Sequence, residues 1–463
     1  MTPITRLTNT PFDELTVGMS ASIEKRLTMD DIRLFAVMTG DVNPVSLDAH
    51  NAKSSRFHDI VAHGMWGGAL ISTVLGTELP GVGTVYVSQT LDFHKPVRIG
   101  DALTVTVTVA EKRAEAQVAF ACDVVNQAGE QVLSGQAVVV APTEKIESEI
   151  VELPDVFFNE RRQITHLLKR ATAYRPIRVA VVHPCDEVSL GGALSAHAQG
   201  LIEPVLIGPL TKIQRVADAC DFDLSGIDIE SVAHSHAACQ RAVELCQLDQ
   251  VDAVMKGSLH TDELMAALLS EHAGLRTERR VSHVFVFDVP TYPRPLLITD
   301  AAINISPNLL AKRDMVQNAI ELAHALEITE PKVAILSAVE TVTSTIPSTL
   351  DAAALCTMAL RGQITGGIVD GPLAFDNAVS ETAARIKGID SPVAGHADIL
   401  VTPDLESGNM LAKQLEYLAH GEGSGVVMGL RLPVILTSRA DDELSRLGSC
   451  ALAVIVHQYR SGG

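Results

Sequence analysis

Ile177 to Gly208 reads IRVAVVHPCDEVSLGGALSAHAQGLIEPVLIG. Two short apolar runs, IRVAVV and PVLIG, flank a stretch of helical character, and neither run alternates polar with apolar residues. Strands buried on both faces read this way, and a helical crossover is what lets two of them lie parallel. Comparable runs continue downstream as DAVMKG, HVFVF, KVAILS, GGIVDG, ADILVTP, GVVMG, PVILTS and ALAVIV, each read as a strand. The pattern predicts an α/β domain over 176–463, with parallel-rich sheets, helices on both faces, and two lobes enclosing a cleft. Ligands of such sheets gather in the loops beyond the carboxyl ends of the strands.

Upstream the rhythm differs. Gly83 to Ala141 alternates at period two through VGTVYVSQTLDF, ALTVTVTVA, AQVAFACDVV and QVLSGQAVVVA, which predicts four antiparallel strands. Arg98–Asp101 and Asn126–Gly129 supply turn residues between them. Gly64 to Leu79 is apolar and long enough for one helix, so an α+β domain over 1–142, a sheet curled on a helix, is expected. Residues 143–175 mix acidic residues, a proline and an amphipathic stretch. They read equally as a linker or as a helix packed on either domain.

Composition narrows the function classes. A net charge of -20 over 463 residues, without a basic run, argues against nucleic acid. Hydrophobic residues at 47% and aromatics at 4% fit layered cores of small aliphatic side chains. Seven scattered cysteines without a C-x-x-C pair read as free thiols in a reducing compartment. No signal-peptide or membrane-span pattern is read, so a cytoplasmic chain with small-molecule partners and no membrane is expected.

Three strand-end loops carry polar residues: 369–376 with Asp370, Gly371 and Asp376, 402–409 with Gly408 and Asn409, and 437–442 with Ser438, Arg439, Asp441 and Asp442. Ordinary caps and turns use the same residue types. In order along the chain, Met255-Lys256-Gly257-Ser258-Leu259-His260-Thr261, Asp370-Gly371-Pro372, Ser391-Pro392-Val393-Ala394-Gly395, Pro403-Asp404-Leu405-Glu406-Ser407-Gly408-Asn409 and Ser438-Arg439 resemble the phosphotransacetylase and phosphotransbutyrylase family. The resemblance covers Ile177 to His457. It implies an isocitrate-dehydrogenase-like fold and transfer of a short acyl group between coenzyme A and phosphate, with the CoA thioester as substrate and no tightly bound cofactor, metal or nicotinamide. It assigns Ser438 to the thiol or oxyanion and Arg439 to phosphate, and Lys413 aligns with a lysine the family keeps near its cleft. Lys256 and Ser258 join the substrate-binding candidates. Where the family has an aspartate this chain has Ser445, with Asp441 and Asp442 as nearer substitutes. No arginine follows the His-Thr loop, which departs from the acetyl-specific pattern.

Gly40-Asp41-Val42-Asn43-Pro44-Val45-Ser46, Arg56-Phe57, Ile60-Val61-Ala62-His63-Gly64-Met65 and Phe93-His94-Lys95-Pro96-Val97 resemble MaoC-like (R)-specific enoyl-CoA hydratases, which have a hot-dog fold. The family's catalytic pair is Asp and His. Asp41 is present, but Ser46 stands at the histidine position, and a hydroxyl has no pKa near neutrality. Gly64 keeps the backbone N–H of an oxyanion site beside His63. The resemblance implies an acyl-CoA-binding, catalytically impaired domain in a homo-oligomer. A bifunctional hydratase/acyltransferase and a non-catalytic acyl-CoA scaffold are the alternatives.

Overall fold

The computed structural model describes residues 6–54, 58–149, 153–154, 156, 158, 162–436 and 441–462. The chain divides into two compact units, Met1–Val156 and Phe157–Gly463.

In the first unit a small antiparallel pair, β1 (Arg6–Thr8) with β7 (Glu147–Glu149), accompanies a five-stranded antiparallel sheet. That sheet comprises β2 (Ser20–Arg26), β3 (Val85–Phe93), β4 (Ala102–Lys112), β5 (Gln117–Val125) and β6 (Gln131–Val140), in the order β2-β4-β5-β6-β3. Leu103, Val105, Val107 and Val109 of β4 are buried in alternation, as period two requires of a one-sided sheet. They and Phe120 form a core with Trp66, Ile71, Val74 and Leu75 of the helix Gly64–Thr77. The expected helix and four strands are present. The connection at Arg98–Asp101 is not a hairpin, because β3 pairs with β6 at the sheet edge instead of with β4. Asn126–Gly129 is a true tight turn, with Asn126 Oδ1 accepting from the N–H groups of Ala128 and Glu130.

The second unit is built on an 11-stranded sheet. Its strands are β8 (Ile177–Val182), β9 (Ile202–Gly208), β10 (Asp228–Ser231), β11 (Ala253–Lys256), β12 (Ser282–Asp288), β13 (Leu296–Thr299), β14 (Lys332–Leu336), β15 (Ile368–Leu373), β16 (Ile399–Val401), β17 (Glu422–Met428) and β18 (Val434–Ile435). Their order is β10-β9-β8-β11-β18-β17-β12-β13-β16-β14-β15. The first five are mutually parallel, and so are the last four. Antiparallel β17 and β12 join the two parallel blocks, so the expected two lobes are blocks of one continuous sheet. ALAVIV is not a strand. It lies in the helix Glu443–Arg460, whose residues from Leu447 to Val456 are buried. Within 143–175, Arg162–Ala171 is a helix, with Ile164 and Leu167 buried, belonging to the second unit.

Candidate active site

Registers across the middle of the large sheet align Val254, Val434, Val427 and His283. Beyond that row a cavity of about 550 Å³ opens. Its polar lining comes from Lys256 at the end of β11 and Ser258, His260 and Thr261 after it, from Asn409 and Lys413 of the helix Leu405–Leu418, and from Asp441. His283 and Phe285 of β12, Leu259, Ala301, Ala302 and Leu436 supply the rest.

Each wall is fixed by local chemistry. Ser258 Oγ donates to the His183 carbonyl at 2.9 Å and accepts from the Cys185 N–H at 3.2 Å, pinning the segments after β8 and β11 together. Lys256 Nζ reaches the carbonyl oxygens of Gly257 at 3.3 Å and Leu259 at 3.5 Å. After β13, the buried Asp300 carboxylate organises the turn that carries Ala301 and Ala302. Its Oδ1 accepts from the N–H groups of Ala302 (2.9 Å) and Ile303 (3.0 Å). Its Oδ2 accepts from Asn304 N (3.2 Å), Asn304 Nδ2 (2.6 Å) and His283 N (3.3 Å). The helix Leu405–Leu418, N-capped by Asp404, crosses this turn at Gly408, where a Cβ would lie 2.3 Å from the Asp300 carbonyl oxygen. That close approach lets Asn409 Nδ2 donate to the Ala301 carbonyl at 3.2 Å.

The cations are partly committed within the protein. Desolvation pulls the Lys413 pKa down, but the ion pair with Glu416 at 2.7 Å and the nearby Asp441 carboxylate outweigh it and raise the pKa above the ordinary lysine value. Lys413 therefore remains a cation at neutral pH.

Of the nominated residues, Lys256, Ser258, Asn409, Lys413 and Asp441 line this cavity, and Gly408 supports it. Ser438 and Arg439 lie outside the described residues; the described residues on either side, Leu436 and Asp441, both line the cavity. Asp442 has a different task. Its carboxylate N-caps the helix Glu443–Arg460, accepting from Ser445 N at 2.7 Å. Asp370, Gly371 and Asp376 are not part of the lining. They sit on or just after β15, the edge strand, where Asp370 Oδ1 accepts from Gly371 N and Asp376 pairs with Lys387 at 3.2 Å. His260, His283, Phe285 and the Ala301-Ala302 pair were not nominated from sequence. The available signals were the polar residue opening the apolar run HVFVF and the aspartate directly after the apolar Leu296–Thr299.

In the first unit a second cavity, about 410 Å³, is lined by His63, Gly64, Trp66, Phe93, His94 and neighbours. The helix Met29–Thr39 ends at Gly40 in the left-handed region (φ 75°), which turns the chain to present Asp41. His63 meets it: Nε2 is 3.0 Å from the Asp41 carbonyl oxygen and 3.9 Å from its carboxylate, and the ring stacks on Phe35. The Asp41 side chain is 52% exposed and is not among the cavity lining. Ser46 is buried on the short helix Pro44–Leu47. His94 turns instead to Ser134 Oγ at 2.8 Å. Gly64 opens its helix, where first-turn N–H groups have no intrahelical acceptor. Arg56 and Phe57 lie outside the described residues.

Known proteins share this arrangement in two parts. Residues 234–454 match the family model described as phosphate acetyl/butaryl transferase. The phosphate acetyltransferase of Rhizobium meliloti is 59% identical over 289 residues, covering 62% of this chain and 92% of the relative. The chain belongs to the phosphate acetyl/butaryl transferase family. Members named for either acyl group are similar: the phosphate butyryltransferase of Clostridium acetobutylicum is 41% identical over 279 residues, 60% of this chain and 93% of the relative. A branched-chain phosphotransacylase from Enterococcus faecalis V583 shares the fold, with a TM-score of 0.53 at 28% identity over 61% of this chain and 99% of that one. Ahead of the transferase region, residues 14–128 match the MaoC like domain model, in accord with the hot-dog arrangement of the first unit.

Proposed function

We propose that the second unit is a phosphate acyltransferase that interconverts acyl-CoA plus phosphate with acyl phosphate plus CoA. Its identity to phosphate acetyltransferase across nearly the whole length of that relative carries this reading, and the cavity supports it. In the thioester direction a phosphate oxygen attacks the acyl carbon, the carbonyl electrons move onto oxygen, and collapse of that oxyanion breaks the C–S bond. The sulfur leaves as thiolate and takes up a proton. Lys256 and Lys413 hold phosphate as cations, Arg439 grips it through its planar fork, and Ser438 hydrogen-bonds the sulfur or the oxyanion. Asp441 is the nearby carboxylate for the thiol proton in the reverse direction.

Thiol release from acetyl-, propionyl- and butyryl-CoA, with and without phosphate, tests this reading. Phosphate-dependent release is expected, and Ser438→Ala and Arg439→Gln are each expected to lower turnover by about 10²-fold or more. Release that ignores phosphate counts against acyl transfer and for the scaffold alternative. The free state of the seven cysteines supports a reducing, cytoplasmic setting. Among the described residues no helix is long and apolar enough to cross a membrane. The exposed apolar edge strand β3, with Val85, Val87 and Phe93, supports a homo-oligomer.

The first unit binds acyl-CoA in its own cavity, with little hydration chemistry. The His63–Asp41 contact is the observation that favours residual hydratase activity. Ser46→His restores an imidazole at the position where the hydratases carry one. It is expected to raise crotonyl-CoA hydration by about 10²-fold or more. Native hydration already equal to the variant's would mean that the unit is a working hydratase without that imidazole.

A further inference from the structure

One group in the second unit's cavity has chemistry left unspent. His283 is 1% exposed, and its Nδ1 is buried without a hydrogen-bond partner among the described residues. An orphaned polar atom of this kind is costly to bury, so its place in the cavity wall calls for a reason. The fold also makes room for the ring. On the facing strand β17, a Cβ at Gly425 would lie 2.4 Å from Cε1 and 2.5 Å from Nε2 of His283, so any larger residue would displace the imidazole. Phe285 packs edge-on at 4.4 Å. The main chain is clamped by Asp300 on the N–H and by Thr299 Oγ1, which donates to the carbonyl at 2.9 Å. None of these contacts uses a ring nitrogen.

Burial pushes the imidazole pKa down to about 4, with the nearby Asp300 carboxylate opposing only part of that shift. The ring is therefore neutral at physiological pH, with one N–H and one lone pair. A neutral ring is a poor partner for phosphate, which has Lys256 and Lys413 in the same cavity. The other lining contributed by β12, by the turn after β13 and by Leu436 is apolar: Phe285, Ala301, Ala302 and Leu436. An uncharged acyl carbonyl with its hydrocarbon tail matches that surface, and one neutral donor within it matches the carbonyl oxygen.

We propose that His283 donates a hydrogen bond to the acyl carbonyl oxygen and, with Phe285, limits the length of acyl chain the cavity accepts. The proposal rests on the acyltransferase reading above. A donor aimed where oxyanion charge develops contributes about 10²–10³-fold to turnover.

The test uses the full chain as wild type, His283→Ala and His283→Gln, with phosphate and a series of acetyl-, butyryl- and hexanoyl-CoA. His283→Ala is expected to lose about 10²-fold in kcat with acetyl-CoA while KM for phosphate stays at the wild-type value. Its ratio of kcat/KM for hexanoyl- over acetyl-CoA is expected to rise, and added imidazole to restore part of the turnover. His283→Gln keeps a neutral donor and is expected to retain more kcat than the alanine variant. If His283→Ala does not fold, His283→Gln is measured against wild type alone, with a changed ratio of kcat/KM for hexanoyl- over acetyl-CoA and an unchanged KM for phosphate expected. Wild-type kcat and chain-length preference in a folded variant overturn the proposal. So does a loss that appears only in KM for phosphate. A wild-type protein that releases no thiol with phosphate from any of the three thioesters defeats the acyltransferase reading instead, which keeps the two failures apart.

Discussion

Asp300→Ala is expected to destabilise the chain by at least about 3 kcal/mol and to abolish acyl transfer, because one buried carboxylate accepts five hydrogen bonds. Each donor left without an acceptor costs about 1–3 kcal/mol, and these costs overlap because the donors share one turn. Asn304 would also lose its anchor. Its Nδ2 donates to the Val281 carbonyl at 2.8 Å and its Oδ1 accepts from Arg280 Nε at 2.6 Å, so the start of β12 loosens together with the turn after β13. Asp300→Asn is expected to do little better, since an amide NH2 turns donors toward donors. Denaturant midpoints and turnover measured on both variants check this. A wild-type midpoint for Asp300→Ala would show that the turn is held by something else.

Gly408→Ala is expected to separate activity from stability. Alanine is the better helix former, so propensity alone favours the variant. Sterics oppose it: the new Cβ would lie 2.3 Å from the Asp300 carbonyl oxygen and 2.6 Å from Thr402 Oγ1. The first turns of the helix Leu405–Leu418 must then lift from the turn beneath, carrying Asn409 and Lys413 away from the cavity. Displacements near 1 Å cost about 10²-fold in rate, so a loss of that size is expected in a chain with near-normal helical content. Circular dichroism beside steady-state assays would show it, and unimpaired turnover would mean that the cavity does not depend on this crossing.

Much of the architecture was legible because burial prints itself on sequence. The one-sided sheet of the first unit alternates polar with apolar residues, and the doubly covered strands of the second do not. Strand direction leaves no such print, so nothing in HVFVF or GVVMG announced that β12 and β17 run antiparallel between two parallel blocks. ALAVIV was misread because six apolar residues are equally a strand or one side of a fully buried helix. At the site, motif residues at and after the end of β11 and on the helix Leu405–Leu418 line the cavity. Asp370 and Asp376 lie outside that lining, and rank along the chain does not reveal that β15 is the outermost strand. Asp442 shows a similar ambiguity. An aspartate before a helix satisfies N–H groups as readily as it abstracts protons, and Ser445 three residues on marks it as a cap. His283 and Asp300 escaped notice because their importance lies in who surrounds them in space.

The position of β18 bears on how the protein is made. This strand is the last of the sheet to leave the ribosome, yet it lies near the middle, between β11 and β17. Until Glu422 to Arg460 has emerged, β11 and β12 each present an unpaired inner edge, and Ser449 is absent from its place against Gly425 N. Nascent chains therefore pass through a stage with two half-sheets and open backbone edges, the kind of species that pairs with its neighbours and aggregates. Chaperone demand during synthesis, and insolubility of products that stop short of the final helix, follow from where that two-residue strand is inserted.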